Sequence, residues 1–162
     1  MYRKILVPLD GSALAEHALG HAEEIARGTG AEILLVQSIN ITVPVAPEAV
    51  FIAGDEAIEE VTKASGKYLE TIAAPLRTAG FTVRTMVDDR PPTDAILHAA
   101  DREGVDLIVM SSHGRSGFSR LVMGSVAESV LHATRRTMVL VRPELPATEP
   151  AHRNDQRYLQ VP

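Results

Sequence analysis

Short runs of apolar residues alternate along this chain with longer segments whose apolar residues recur at helical spacing, and this alternation constrains the fold most. Continuous apolar runs are typical of strands buried on both faces of a parallel sheet. Strands are predicted at residues 4–9, 31–38, 81–87, 105–111 and 137–141. Because strands separated by helices pair in parallel, the pattern predicts an α/β fold, with an open five-stranded parallel sheet and helices on both faces.

Four helices are predicted between these strands, each with a local feature that tests it. Ser12 is the predicted N-cap of the first helix. Pro75 is expected to kink the second helix or to end it early. Pro91-Pro92 is expected to open the third, since proline suits the first helical position. Ser125 with Glu128 predicts a capping box at the start of the fourth. Residues 39–54 contain two prolines and a glycine, which argue against a continuous helix and predict a long, irregular connection.

Composition excludes several classes of function. The 162 residues fit one domain, predicted at 1–143, followed by a flexible tail at 144–162 that is rich in polar residues and proline. The chain has no cysteine, which excludes disulfides and thiolate metal sites. The net charge of -5 and the 4% aromatic content do not favour nucleic-acid binding. No apolar stretch is long enough to span a membrane, and we expect a cytoplasmic protein.

The first candidate binding loop follows strand one, as Pro8-Leu9-Asp10-Gly11-Ser12. In open parallel sheets, ligands bind beyond the carboxyl ends of the strands, where the winding direction switches. Asp10 would face that crevice and could accept hydrogen bonds from a ribose or an adenine amino group. Asp-Gly-Ser is more commonly a turn ahead of a helix cap, so both interpretations stay open.

The second candidate loop follows strand four, where Ser111-Ser112-His113-Gly114 is separated by nine residues from Gly124-Ser125. Phosphate binding needs converging backbone N–H groups without side chains in the way, which Gly114 and Gly117 would permit. A helix that begins near Gly124 would add free amides and a partial positive charge, and Arg115 could add a full one. The alternative is a flexible loop followed by an ordinary helix cap.

Known phosphate-loop and catalytic motifs are missing from the sequence. It contains no G-x-x-x-x-G-K-[ST], and the first loop has one glycine, Gly11, where the dinucleotide fingerprint needs three. There is no G-x-S-x-G around Ser116, so no catalytic residue is assigned. His17 and His21 lie one helical turn apart but lack the carboxylate of a zincin motif, which favours a solvated face over a metal site.

Three segments together resemble the universal stress protein family, over roughly residues 1 to 143. They are KILVPLDGS, DLIVMSSHGRSGFSRLVMGSVAESVL and TMVLVRP. The ATP-binding branch of that family carries G-x-x-G, nine residues, then G-[ST]. This sequence matches at Gly114, Gly124 and Ser125, but Ser111 replaces the first glycine. The resemblance implies a Rossmann-like fold of the adenine-nucleotide alpha hydrolase type.

The resemblance also implies a nucleotide site, with ATP and Mg²⁺ as ligands. Its residues would be Pro8, Leu9, Asp10, Ser38, Met110 and Ser111 around the nucleoside, and Gly114, Arg115, Gly117, Gly124, Ser125 and Val126 around the phosphates. The family pairs through its last strand, so residues 137–141 are the expected homodimer interface. Mg²⁺ usually keeps several waters and needs few protein ligands.

Three hypotheses for function follow. The first is a regulatory protein of the stress response that binds ATP and acts on a protein partner of unknown identity. The second is a slow ATPase or nucleotidyl transferase, for which Asp10 and His113 are the visible candidate bases. The third is a dimeric scaffold that binds no nucleotide, which Ser111 favours.

Overall fold

The computed structural model describes residues 1–39, 42–46, 49–52, 55–112 and 123–142. In these residues seven strands and four helices occur. The strands are β1 Lys4–Leu9, β2 Glu32–Ser38, β3 Thr42–Ala46, β4 Ala49–Ile52, β5 Val83–Asp88, β6 Leu107–Ser111 and β7 Thr137–Val141. The helices are α1 Ala13–Thr29, α2 Asp55–Thr78, α3 Pro92–Arg102 and α4 Ser125–Ala133.

The main sheet has five parallel strands in the order β5-β2-β1-β6-β7, which confirms the predicted fold class. Alternate strand residues point to opposite faces. One face packs Ile5, Val7 and their neighbours against α1 and α2. The other packs Leu6, Ile108 and their neighbours against α3 and α4. The strands are therefore buried on both faces, which is why they are continuous apolar runs in the sequence.

The prediction of an irregular connection at residues 39–54 is wrong. Strands β3 and β4 pair there as an antiparallel hairpin, with Thr42 opposite Ile52. Proline is compatible with a two-stranded ribbon at an edge or a bulge, and the register shifts between Pro44 and Ala46. The prolines that excluded a helix therefore did not exclude a strand.

Two predictions about helix ends are also wrong, and two are confirmed. Helix α2 continues through Pro75 to Thr78, so of the two outcomes expected of this proline, a kink or an early end, the early end does not occur. Gly124 is the N-cap of α4 and makes no side-chain hydrogen bond, so Ser125 does not form the predicted capping box. Ser12 is the N-cap of α1, as predicted, and its side chain accepts from the N–H of Ala15. Pro92 opens α3, also as predicted.

Candidate functional site

The winding of the sheet reverses between β1 and β6. From β1 the chain adds β2 and β5 on one side, and then crosses over to add β6 and β7 on the other. In open parallel sheets, a ligand crevice lies beyond the carboxyl ends of the strands at such a reversal. This crevice is where the sequence predicts a ligand.

The turn after β1 fixes the Asp10 carboxylate in one position. Its Oδ1 accepts hydrogen bonds from the backbone N–H of Ser12 at 2.9 Å and from the Ser12 hydroxyl at 2.6 Å. Gly11 has a φ of 82°, a left-handed conformation that glycine adopts without strain. Of the two interpretations of Asp10, the structural one is therefore present, because the carboxylate braces the turn that starts α1.

Tyr68 of α2 packs against this turn. Its hydroxyl donates to Glu16 Oε1 at 2.8 Å. Burial raises the pKa of the Tyr68 hydroxyl, and the Glu16 carboxylate and the charge of Asp10 raise it further, while the Gly11 backbone opposes them. The hydroxyl therefore stays protonated at neutral pH and acts as a donor. Helix α2 is thereby connected to the start of α1.

The exits of β2 and β5 are joined by hydrogen bonds. Ser38 pairs with Asp88 in the sheet register, and the Ser38 hydroxyl donates to the Arg90 carbonyl at 2.7 Å. The next residue, Ile39, donates its N–H to the Asp88 carbonyl at 2.9 Å. Both residues at the end of β2 are therefore held by the segment that follows β5.

Asp88 is the buried centre of this junction, with its side chain only 2% exposed. Its carboxylate accepts from the Arg90 N–H at 2.9 Å, from Arg90 Nη1 at 3.0 and 2.9 Å, and from His98 Nδ1 at 3.2 Å. Burial alone would raise the pKa of Asp88, but these hydrogen bonds outweigh burial and hold it below its ordinary value. Asp88 is therefore ionised at neutral pH.

The exit of β6 is closed by backbone bonds. Ser112 donates its N–H to the Val141 carbonyl at 2.7 Å, and Gly124 donates its N–H to the Ser112 carbonyl at 2.8 Å. The expectation of a free amide at Gly124 is therefore wrong. The residue that replaces the family's first glycine, Ser111, is 6% exposed, and both Ser111 and Ser112 have polar partners.

Helix α4 supplies the amides that Gly124 does not. Its first intrahelical bond runs from the Glu128 N–H to the Gly124 carbonyl. The N–H groups of Ser125, Val126 and Ala127 precede that bond, so they have no acceptor within the helix. A helix N-terminus of this kind carries a partial positive charge and suits an anion. Because Gly124 is bonded to Ser112, this end of the helix is fixed beside the β6 exit.

The described part of the predicted site comes together at one edge of the sheet, but not every side chain there is accessible. Leu9 packs into the α1/α2 layer at 4% exposure, and Met110 into the α3/α4 layer at 6%. Only their backbones can face a ligand. Pro8 is half-buried, and Ser125 is exposed. Three predicted phosphate contacts, Gly114, Arg115 and Gly117, lie outside the described residues, as does His113.

Sequence reasoning missed Asp88, Arg90 and Tyr68. Tyr68 lies among residues of α2 that recur at helical spacing, and a tyrosine hydroxyl on the apolar face of a helix needs a partner. Asp88 and Arg90 lie in VDDRPP, between a strand and a predicted helix start. A charged pair beside a strand end could have pointed to this edge, but the sequence does not show that β5 lies next to β2.

In the residues that the structure describes, no group of three or more His, Asp or Glu side chains could hold a metal ion. Within the same residues, no helix is long and apolar enough to cross a membrane. Neither finding bears on residues 113–122, which contain part of the predicted phosphate loop.

The comparisons with known proteins agree with this architecture. The model of the universal stress protein family matches residues 1–142, and the chain belongs to that family. Universal stress protein MJ0577 of Methanocaldococcus jannaschii is 30% identical over 156 residues, which cover 88% of this chain and 96% of that protein. Universal stress protein YxiE of Bacillus subtilis is 31% identical over 150 residues, covering 88% and 100%.

Solved structures show the same fold. The structure of MJ0577 superimposes with a TM-score of 0.76 at 30% identity, and covers 89% of this chain and 98% of its own. A universal stress protein from Archaeoglobus fulgidus, solved in complex with dAMP, has a TM-score of 0.57 at 25% identity, covering 86% and 97%. That relative binds an adenine nucleotide.

Proposed function

We propose that this protein is a cytoplasmic regulator of the stress response that binds an adenine nucleotide, ATP with Mg²⁺, at the carboxyl edge of its sheet. The observation that carries the proposal is the start of α4, where the amides of Ser125, Val126 and Ala127 precede the first helical bond beside the winding reversal. The dAMP complex of the relative from Archaeoglobus fulgidus supports an adenine nucleotide as the ligand class.

In this proposal the phosphates lie at the start of α4, with Gly114, Arg115, Gly117 and Gly124 completing their surroundings. The nucleoside lies over the exits of β1 and β2, beside Pro8, Asp10 and Ser38, with the backbones of Leu9 and Met110 and the Ser111 position next to it. Mg²⁺ would be held mainly by phosphate oxygens and water. The residues present fit the nucleotide, because amides that have no acceptor within α4 lie where negative charge is needed.

A binding role is favoured over a catalytic one by the state of Asp10. Its Oδ1 already accepts two hydrogen bonds from Ser12, so the carboxylate is committed to the turn. A general base must be positioned to take a proton from the reacting group. We therefore propose that nucleotide occupancy changes the partner surface around residues 39–54 and 112–123, and that turnover is not the purpose of binding.

The test is a calorimetric titration with Mg-ATP of the wild type and of Gly124→Arg. Gly124 has a φ of -63°, so its backbone tolerates a side chain, while an arginine would fill the space in front of the α4 amides. We expect saturable binding by the wild type and at least about a hundredfold weaker binding by the variant. Gly28→Arg is the matched control, because Gly28 is exposed on α1 with open space around it.

Undetectable binding of ATP, ADP and AMP by the wild type would refute the proposal. ATP hydrolysis above a buffer blank that is lost in Asp10→Asn, with binding retained, would favour the enzyme hypothesis instead. Both experiments use the full chain.

A dimeric scaffold that binds no nucleotide is the second candidate, and the β6 exit favours it. Ser111 replaces a glycine there and is buried, and the Gly124 N–H is already bonded. Thermal unfolding with and without Mg-ATP separates the two candidates, because a ligand that binds only the native state raises its stability. An unchanged midpoint at millimolar Mg-ATP would favour the scaffold.

We further propose that the protein forms a homodimer through β7. This strand lies at the edge of the main sheet, and Met138, Val139 and Leu140 on it are half-buried. Partly exposed apolar residues on an edge strand favour association with a second copy. Analytical ultracentrifugation should give twice the monomer mass for the wild type and a monomer for Val139→Lys. A monomeric wild type at micromolar concentration would refute the dimer.

A further inference from the structure

Among the residues that the structure describes at the carboxyl edge, Asp88 has the one buried carboxylate. It lies at the junction between β2 and β5, and the proposed function does not use it. The Asp88 side chain is 2% exposed, while its partners Arg90 and His98 are 45% and 34% exposed. A buried carboxylate is costly unless it is fully hydrogen-bonded. Both carboxylate oxygens of Asp88 accept hydrogen bonds, so this requirement is met. The groups that donate to Asp88 are therefore fixed in position.

The part that Asp88 fixes is the backbone beyond β5. It accepts the Arg90 N–H and the Arg90 guanidinium together, so residues 88–90 form a closed loop around one carboxylate. His98 reaches the same carboxylate from α3. Arg90 is therefore held at its N–H and at its guanidinium by a carboxylate that is itself bonded to α3.

The Arg90 carbonyl in turn positions the end of β2. It accepts the Ser38 hydroxyl at 2.7 Å, and the Asp88 carbonyl accepts the Ile39 N–H at 2.9 Å. Ile39 is 4% exposed, so the chain is anchored until it leaves the sheet toward β3. A displacement of the Arg90 peptide would therefore move the backbone at Ser38 and Ile39.

We propose that Asp88 is a positioning residue for base recognition, which acts through the Arg90 peptide on the backbone at the end of β2. This inference rests on the proposed function, in which the base lies beside Ser38. Fixed backbone N–H and C=O groups distinguish adenine from guanine, because the wrong base leaves buried polar groups unpaired. In this inference Asp88 keeps the backbone at the end of β2 in place through Arg90, and it need not touch the nucleotide.

The test is to measure the affinity of the full chain for Mg-ATP and for Mg-GTP in the wild type, Asp88→Asn and Asp101→Asn. Asp101→Asn is the matched control, since Asp101 also pairs with an arginine, Arg136 at 2.9 Å, but lies at the end of α3 and is 78% exposed. We expect Asp88→Asn to weaken ATP binding about tenfold and GTP binding much less, so that the ratio of the two affinities falls. The control should keep the wild-type ratio.

The outcomes separate this inference from the proposed function. A wild type that binds neither nucleotide refutes the proposed function. A wild type that binds both equally, or an Asp88→Asn variant that weakens both by the same factor, overturns the positioning role while nucleotide binding stands. If Asp88→Asn does not fold, Ser38→Ala replaces it, because it removes only the hydroxyl bond to Arg90 and should lower the ratio to a smaller extent.

Discussion

The amino edge and the carboxyl edge of the main sheet differ in what their charged and polar groups bond to. At the amino edge, Glu103 follows α3 and lies 2.7 Å from Arg84 Nη1 and 3.7 Å from Lys4 Nζ. The Asp106 carboxylate accepts the N–H groups of Arg3 and Lys4. These contacts connect β1 and β5 to the segment between α3 and β6.

At the carboxyl edge, the structure combines small residues, a helix N-terminus and one buried carboxylate. The amides at the start of α4 lack helical acceptors, and Ser38 and Ile39 are held through Asp88 and Arg90. Charge pairing at this edge fixes backbone positions at the end of β2. In the proposed function, ion pairs at the amino edge stabilise the fold and those at the carboxyl edge place the nucleotide-binding surface. Substitutions at both edges test this difference: Asp88→Ala, Gly11→Ala, Gly104→Ala, Tyr68→Phe and Glu103→Gln.

The largest expected effect is at Asp88. Asp88→Ala should lower the free energy of unfolding by roughly 2 kcal/mol at pH 7, because hydrogen bonds to a buried charged group are lost. The pKa of Asp88 is lowered in the folded state, so this stability is fully present above pH about 4 and lost as the pH falls below it. Urea unfolding of both proteins from pH 7 to pH 3 measures the converging difference.

A difference between the two proteins that stays constant over this pH range would contradict the role of the ionised carboxylate. Asp101→Ala is the control. Its exposed carboxylate pairs with Arg136, so the substitution should change stability by less than about 1 kcal/mol.

Two glycines with positive φ allow the two edges to be compared directly. Gly11 lies at the carboxyl edge and Gly104 at the amino edge. Gly11→Ala and Gly104→Ala, at φ 82° and 65°, should each cost about 1 to 2 kcal/mol, because alanine is strained in the left-handed region. Only Gly11→Ala should also weaken ATP binding, since Gly11 shapes the turn that carries Asp10. Equal ATP affinities for the two variants, measured by calorimetry, would remove this distinction between the edges.

Tyr68 tests whether α2 helps to hold the carboxyl edge. Tyr68→Phe removes the hydrogen bond to Glu16 and should destabilise the protein by about 1 kcal/mol. ATP affinity should fall slightly, because the turn at Asp10 and Gly11 loses a contact from α2. Chemical denaturation and titration give the two values, and no change in either would mean that Tyr68 only fills space.

The smallest effect is expected at Glu103 on the amino edge. Glu103→Gln weakens the pair with Arg84 and should cost about 0.5 kcal/mol, less at high salt because ions screen the pair. ATP affinity should stay at the wild-type value. A loss of ATP binding in this variant would show that the two edges are coupled, and that ion pairs at the amino edge affect more than stability.

Much of the fold was predictable because its determinants are local. The bounds of β1 and β7 match their apolar runs, and Ser12 caps α1 as its sequence pattern predicts. The hairpin at β3 and β4 was missed, because prolines exclude a helix and tolerate an edge strand equally well. Pro75 was expected to kink α2 or to end it early, and the early end does not occur, because the helix continues to Thr78. Leu69, Ala73 and Leu76 are buried on its inner face.

The candidate site was predictable in position and less so in detail. Asp10 follows β1, Ser38 ends β2 and Ser125 begins the helix after β6, and the carboxyl ends of these parallel strands meet at one edge of the sheet. The Gly124 amide was expected to be free and is bonded to Ser112, a contact between residues twelve positions apart that no local pattern encodes.

The sequence by itself determined the alternation of strands and helices, the parallel sheet and the edge at which glycines and serines collect, because hydrophobic period and turn chemistry are local properties. Only the tertiary structure decided that β5 lies beside β2 and brings Asp88 and Arg90 to Ser38. Strand order depends on how helices pack on both faces of the whole sheet. A buried carboxylate fifty residues from the backbone it fixes therefore becomes visible only in the folded chain.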